Sequence, residues 1–308
     1  MDPRTALREA EMSSARALPE LAVSIELFPP RSAEAEARFW PEMARLAAAE
    51  PAFFSITCGA GGTAREGTFP LALALKARFG RPVAAHLTCA GHSRAEVDAL
   101  AEAYWQAGIR HLVALRGDPP KGEGRYRPRP DGYAYAAELV AGLRRVADFE
   151  ISVAGYPETH PEAPSPAFDL ENVKRKVDAG AVRVLGQYCF DTEAILRYRD
   201  ALWRIGVRVP FVPGIMPIRS FPQIRRFSAA CGAGIPAWLA ELFRDVPPKA
   251  PEHAMIAAWV AAEQCRRLVA EGFRALHIYA LNRADLTLAL LRLLGRPVPV
   301  AAPVDASN

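Results

Sequence analysis

Ala22-Val23-Ser24-Ile25-Glu26-Leu27, followed at once by Phe28-Pro29-Pro30-Arg31, is the stretch on which the fold turns. Val23, Ile25 and Leu27 alternate with Ser24 and Glu26, the period-two pattern of a strand with one apolar and one polar face. The residues that come next separate two α/β architectures. An open doubly wound sheet needs a glycine-rich phosphate loop after its first strand. This chain has prolines there, and no G-x-G-x-x-G stands at any strand-helix junction.

Working outward, β-type runs recur at residues 22–27, 53–57, 83–87, 111–115, 150–154, 183–187, 209–213 and 275–279. Between them, residues 33–49, 69–78, 94–106, 135–147, 168–178, 192–203, 221–230 and 256–271 mostly space their apolar residues as helices do. Gly80, Gly108, Gly180, Gly206 and Gly272 stand where helices should stop. Several strand-to-strand gaps are about 25–35 residues, the span of one strand-helix unit. The gap before the last strand is roughly twice as long and must hold extra helices. Eight such units predict a (β/α)8 TIM barrel with extra helices. Residues 21–297 are read as a single catalytic barrel, residues 1–20 as an N-terminal arm or helix, and 298–308 as a flexible tail.

Composition narrows the function. Thirty-eight basic and 34 acidic residues leave a net charge of +4, which weakly favours anionic ligands and is far below a nucleic-acid footprint. The five cysteines are odd in number and contain no C-x-x-C, so neither a disulfide framework nor a cysteine-rich zinc site is expected. No apolar leader follows Met1-Asp2-Pro3-Arg4, and no run of 18 apolar residues occurs. A cytoplasmic protein with no membrane or nucleic-acid partner is expected.

If the apolar strand faces meet the helices, the polar faces point into the barrel. Glu26, Thr57, His86, Arg116, Gln187 and Tyr279 then ring its C-terminal rim, with Asp118, Tyr156 and His160 just beyond their strands. Barrel enzymes place their chemistry at that end. A carboxylate at Glu26 is costly there unless paired or functional, so it is either an ion-pair partner of Arg116 or a general acid. Asp118 is either a turn-forming residue or a rigid rim carboxylate. Six histidines form no H-x-H or H-E-x-x-H, so no catalytic metal is expected. His111 and His277 lie inside strands, away from the rim. His86 and His160 suit neutral hydrogen bonding around a ligand. Asp169, Asn172 and Lys176 fall near one helix face, which is either solvated or turned to the rim. In the second case Arg175 and Lys176 can neutralise a phosphate. Phe221, Phe227, Trp238 and Tyr279 read as core more readily than as ligand-stacking rings, and Cys58 as a buried thiol.

Seven motifs stand in one order: Glu26-Leu27-Phe28-Pro29-Pro30, His86-Leu87-Thr88-Cys89, Ala114-Leu115-Arg116-Gly117-Asp118, Tyr156-Pro157-Glu158 with His160-Pro161-Glu162, Lys174-Arg175-Lys176-Val177-Asp178-Ala179-Gly180, Pro213-Gly214-Ile215-Met216-Pro217, and Tyr279-Ala280-Leu281-Asn282-Arg283. In this the chain resembles bacterial methylenetetrahydrofolate reductases over about residues 20–297. The resemblance implies a barrel flavoprotein, commonly a homo-oligomer. It would reduce 5,10-methylenetetrahydrofolate with NADH or NADPH through non-covalent FAD in a ping-pong cycle, and so supply methyl groups for methionine synthesis. It implies that Glu26 is the acid opening the folate ring and that Asp118 lies between flavin and pterin. Gln187, Gln223, Phe227, Tyr279 and Arg283 would line the substrate region. FAD would be held by Thr57, His86, Arg116, Gly117, Asp118, Tyr135, Ala136, Ala154, Tyr156, His160, Asp169, Asn172, Arg175 and Lys176. Three departures flank these sites: Cys58 where the family commonly has Tyr, Gly186 where it has Thr, and Tyr188-Cys189 where it has Phe-Phe. Two other readings stand beside this one: a flavin-independent pterin-binding barrel enzyme (reductase, lyase or methyltransferase), and a non-catalytic folate- or flavin-binding subunit.

Overall fold

The alternation in the first strand sorts its side chains onto two faces. In the computed structural model, which describes residues 21–58, 65–118 and 126–298, Val23, Ile25 and Leu27 are buried among the helices. Ser24 and Glu26 meet His277 inside the sheet. The first strand, β1 (Ala22–Leu27), pairs in parallel with β2 (Phe53–Ile56). Pairing continues through β3 (Val83–Thr88), β4 (His111–Leu115), β5 (Glu150–Gly155), β6 (Arg183–Tyr188), β7 (Phe211–Ile215) and β8 (Ala275–Tyr279). β8 then returns to β1, closing a (β/α)8 barrel. All eight expected strands are present. β7 begins two residues late, because Pro210 has no N–H for the ladder and only its carbonyl is used, accepting from Val184.

The helices start where short polar side chains can satisfy free N–H groups. α1 (Ala33–Ala47) is capped by Ser32, and α3 (Arg94–Gln106) by a Ser93–Glu96 capping box. α2 (Arg65–Phe79), α4 (Ala136–Val146), α5 (Pro166–Asp178), α6 (Thr192–Arg204) and α7 (Phe221–Cys231) complete the alternating pattern. The five glycines expected to stop helices all have positive φ. The long interval before β8 holds α8 (Ala237–Leu242) and α9 (Pro251–Ala270). A last helix, α10 (Asp285–Leu293), was not expected from the sequence.

Two shells of core result. Outward strand residues such as Ile25, Phe54, Leu87, Leu112, Val153 and Ile278 join the helices in the main core, each fully buried aliphatic side chain contributing about 2 kcal/mol. Phe53, Ala84, Val113, Leu185 and Val212 form a smaller core inside the barrel. A third cluster under α7 to α9 is built around Phe221 stacked on Phe243. Val298, the first residue assigned to the tail, packs on the main core. The arm at 1–20 and the rest of the tail lie outside the described residues. No described helix is long and apolar enough to cross a membrane.

Candidate active site

Three strands turn polar side chains towards one carboxylate. The parallel register sets Ser24 beside His277, and Glu26 beside Tyr279 and Ser55. Glu26 Oε2 lies 3.3 Å from His277 Nε2 and 3.4 Å from His86 Nε2. A serine fixes each ring: Ser24 Oγ is 2.7 Å from His277 Nδ1, and Ser55 Oγ is 2.6 Å from His86 Nε2. Both serines and both histidines are buried. The Glu26 side chain keeps 17% of its surface, so its carboxyl is the member that can be approached. Burial pushes the His86 pKa below its ordinary value, against the pull of the Glu26 charge. Arg116 does not pair with Glu26; it reaches Glu162 instead. Among the described residues, no arginine or lysine forms an ion pair with Glu26.

A second group is set by α5. Ser165 accepts the Phe168 N–H at 3.2 Å, and Pro166 occupies the first turn, which orients the helix start. Asp169 and Lys176 are buried and Asn172 half-buried, while Glu171 and Arg175 are exposed. The face expected from spacing is therefore turned inward. Lys176 Nζ donates to the Ala154 carbonyl at 2.7 Å. Asp169 accepts the His160 N–H at 3.0 Å. Burial draws the Lys176 pKa down to about 8, although Asp169 favours its charge. An anion brought close would raise that pKa again. His160 meets the Tyr156 ring edge-on at 4.6 Å, and its own pKa is lowered by burial and by Arg116. The Tyr156 hydroxyl is pushed up to about 12 by burial, with the charges of Asp169 and Asp118 adding to the effect. Arg175 stays outside, its guanidinium 5.2 Å from the Phe168 ring centre.

The end of β4 joins these groups. Arg116 Nε donates to the Gly117 carbonyl at 3.0 Å, and its guanidinium lies over Tyr126 at 4.8 Å. Tyr126 in turn meets the exposed Tyr135, which precedes the half-buried Ala136 at the start of α4. Gly117 has φ +85°, and a Cβ there would stand 2.9 Å from the Thr88 Cβ. Asp118 follows on the exposed rim. Glu162, which Arg116 holds, donates its N–H to His160 Nδ1 at 3.1 Å, linking this group to that of α5.

The remaining candidates surround the rim less tightly. Tyr279 donates its hydroxyl to the Gly186 carbonyl at 2.8 Å. Gly186 is matched by Phe211, whose ring would lie 2.9 Å from a Cβ at that position. Gln187 is half-buried and turns Oε1 back to accept the Tyr188 N–H at 2.9 Å. Gln223 and Phe227 lie four residues apart on α7, half-buried and exposed respectively. Arg283, after β8, has Nε 3.9 Å from Glu42 on α1. Thr57 is fixed by its backbone, donating to Leu27 at 2.9 Å and accepting from Thr68 at 3.1 Å. Among the described residues no group of three or more His, Cys, Asp or Glu is placed to hold a metal.

Sequence reasoning passed over His277, Ser24 and Ser55, which complete the Glu26 group, and Tyr126 beside Arg116. His277 shares its strand face with Tyr279, and Ser24 shares one with Glu26. That signal was present, but the inter-strand register that joins them was not. As a whole, the rim can hold a proton on a carboxyl, neutralise a buried anion and cover a flat ring.

The family described as methylenetetrahydrofolate reductase matches this chain over residues 12–295. The chain belongs to that family. Its relatives include the 5,10-methylenetetrahydrofolate reductase of Salmonella typhimurium, 42% identical over 289 residues, which are 94% of this chain and 96% of that protein. The Escherichia coli enzyme of the same name is 42% identical over 276 residues, 90% of this chain and 91% of its own. A solved structure of a Clostridium thermocellum protein, described as binding two copies of 5-methyl-5,6,7,8-tetrahydrofolic acid, superposes with a TM-score of 0.62. That alignment covers 94% of this chain and 97% of the other at 11% identity, and so speaks to the fold alone.

Proposed function

We propose that this chain reduces 5,10-methylenetetrahydrofolate to 5-methyltetrahydrofolate with electrons from NADH or NADPH, through non-covalently bound FAD, in a ping-pong cycle. The product would feed methyl groups into methionine synthesis. One observation carries the reading: a carboxyl open to the rim is shared by two buried histidines rather than neutralised by a permanent cation. Such a group can hold a proton and deliver it to a substrate nitrogen, which opens the five-membered ring of the folate. The reduction needs one hydride and one proton, and Glu26 supplies the proton.

The residues present suit FAD. Lys176 is a buried amine whose pKa is lowered by desolvation, and a diphosphate would both pair with its charge and raise that pKa again. Arg116 adds a cation at the rim, while Arg175, on the outer face of the same helix, would have to swing away from Phe168 to reach a phosphate. Asp169 and Asn172 on its inner face suit ribose hydroxyls. Gly117, with φ +85° and no room for a Cβ beside Thr88 and Ala90, lets the chain turn sharply where β4 meets the rim. Bound flavin supplies the hydride relay between nicotinamide and folate. The protein's part is position and charge: Asp118 at the rim, with Gln187, Gln223, Phe227, Tyr279 and Arg283 towards the folate.

The test is anaerobic. Purified protein should be yellow, NADH or NADPH should bleach it without folate, and methylenetetrahydrofolate should restore the colour. FAD should bind more weakly as pH rises above about 8, where Lys176 loses its proton, and about tenfold more weakly in Lys176→Met. A colourless preparation that FAD cannot reconstitute overturns the proposal, and folate reduction without flavin favours the flavin-independent class.

A further inference from the structure

At the N-terminal end of the barrel, on the face opposite the rim, lies a cavity of about 520 Å³. Exposed residues at the strand starts, among them Ala22, Pro82 and Pro210, ring its mouth. Its inner wall includes Ser24. Ser24 therefore faces two ways. On one side is the cavity. On the other, its Oγ is 2.7 Å from His277 Nδ1, and His277 Nε2 is 3.3 Å from Glu26. The serine hydroxyl also has a second acceptor, the Leu276 carbonyl, at 3.4 Å.

Those two acceptors match the two protonation states of Glu26. With Glu26 as carboxylate, His277 donates Nε2–H to it, and Ser24 donates its hydroxyl to Nδ1. With Glu26 as carboxylic acid, Glu26 donates to Nε2, Nδ1–H donates to Ser24 Oγ, and the serine hydroxyl turns to Leu276. Every donor has an acceptor in both states.

We propose that Glu26 recovers its proton from below, from solvent in this cavity acting through Ser24 and His277, while folate covers the rim above. The inference rests on Glu26 being the proton donor for folate. Each reduction removes one proton from the Glu26 carboxyl. To replace it, a hydronium ion in the cavity gives a proton to Ser24 Oγ as the serine O–H passes to His277 Nδ1. The Nε2–H of His277 then passes to the carboxylate. Three bonds to hydrogen break and three form, water is left in the cavity, and no electrons move. The imidazole regains its first tautomer before the next cycle, the reorientation any hydrogen-bonded proton wire requires. Ser24 and His277 are thus positioning residues, and the barrel separates the path of the proton from the path of the substrate.

The test compares first and later turnovers. Reduced enzyme, equilibrated so that Glu26 is protonated, is mixed rapidly with methylenetetrahydrofolate, and steady-state turnover is measured separately. Ser24→Ala should slow steady-state turnover about tenfold but the first turnover no more than about threefold, the part due to loosening the His277 ring. Ala275→Phe, which plugs the cavity at its mouth, level with Ala22 and a full strand length from Glu26, should slow later turnovers alike and leave the first unchanged. A readout free of catalysis is ¹⁵N NMR of the histidine-labelled protein: solvent exchange of the His277 Nε2–H should slow about tenfold in both variants. Equal slowing of first and later turnovers would mean that Ser24 only holds Glu26 in place. Unchanged turnover and unchanged exchange would mean that the proton comes from the rim. Either result overturns the route, even if Ala275→Phe fails to fold. If wild-type protein shows no folate-dependent step at all, the functional reading fails instead.

Discussion

The barrel interior holds two polar groups made of the same parts, and they behave differently. In the lower one, His111 Nε2 lies 2.8 Å from Ser152 Oγ, and Arg183 reaches His111, Ser152 and Glu150. In the upper one, Glu26 stands between His86 and His277, each held by a serine. Both contain histidine, serine and a carboxylate. Only the lower one has an arginine. That permanent cation neutralises Glu150. Burial, and after it the cation, drives the His111 pKa down to about 3. The lower carboxylate is thus balanced by its own arginine, whereas the upper one has no permanent cation beside it among the described residues. Under the function proposed above, that one guanidinium separates a structural network from a chemical one.

The largest expected effect comes from removing the exchangeable group. Glu26→Gln should reduce folate reduction about a thousandfold, with flavin reduction by nicotinamide nearly unchanged in stopped-flow traces. Equal loss in both half-reactions would remove the distinction between the two groups. Next, Arg183→Met should break the lower network and cost about 2 kcal/mol in urea unfolding, through lost hydrogen bonds and lost packing over Phe53. Folate reduction per folded molecule should stay the same, and a large fall would show that the lower group takes part in chemistry.

The pH dependence of stability is a smaller effect. His111 titrates near 3 when folded and near 6.5 when unfolded. The unfolded chain thus binds the extra proton first. Stability that is present above about 6.5 should drain away as pH falls towards about 3. The corresponding slope in unfolding free energy should shrink in His111→Gln. The smallest contrast is Ser152→Ala against Ser55→Ala. Each should cost about 1 kcal/mol or less of stability, but only Ser55→Ala should alter the folate half-reaction, by a few-fold.

Much of this was readable beforehand, for identifiable reasons. Alternation at Val23–Leu27 and Leu276–Tyr279 put the polar faces inside, because closing a barrel gives each face a different solvent. The spacing of Asp169, Asn172 and Lys176 marked an inner face correctly, because helical geometry is local. What is not local was missed. The sequence holds no register, so nothing tied His277 to Glu26 or led Arg116 to Glu162 in place of Glu26. The helix Asp285–Leu293 was passed over for a different reason. It is short, and the burial of Leu288, Leu290 and Leu291 against the core supplies what the local pattern could not.

The seam between β6 and β7 limits how this rim can be redesigned. A side chain at Gly186 would strike the Phe211 ring, and one at Gly214 would strike the Gly186 carbonyl and the Tyr279 ring. A larger residue at 186 therefore requires the ring at 211 to shift or shrink, so the two positions have to be changed together. Position 214 is stricter, because the nearest atom there is main chain and cannot be trimmed.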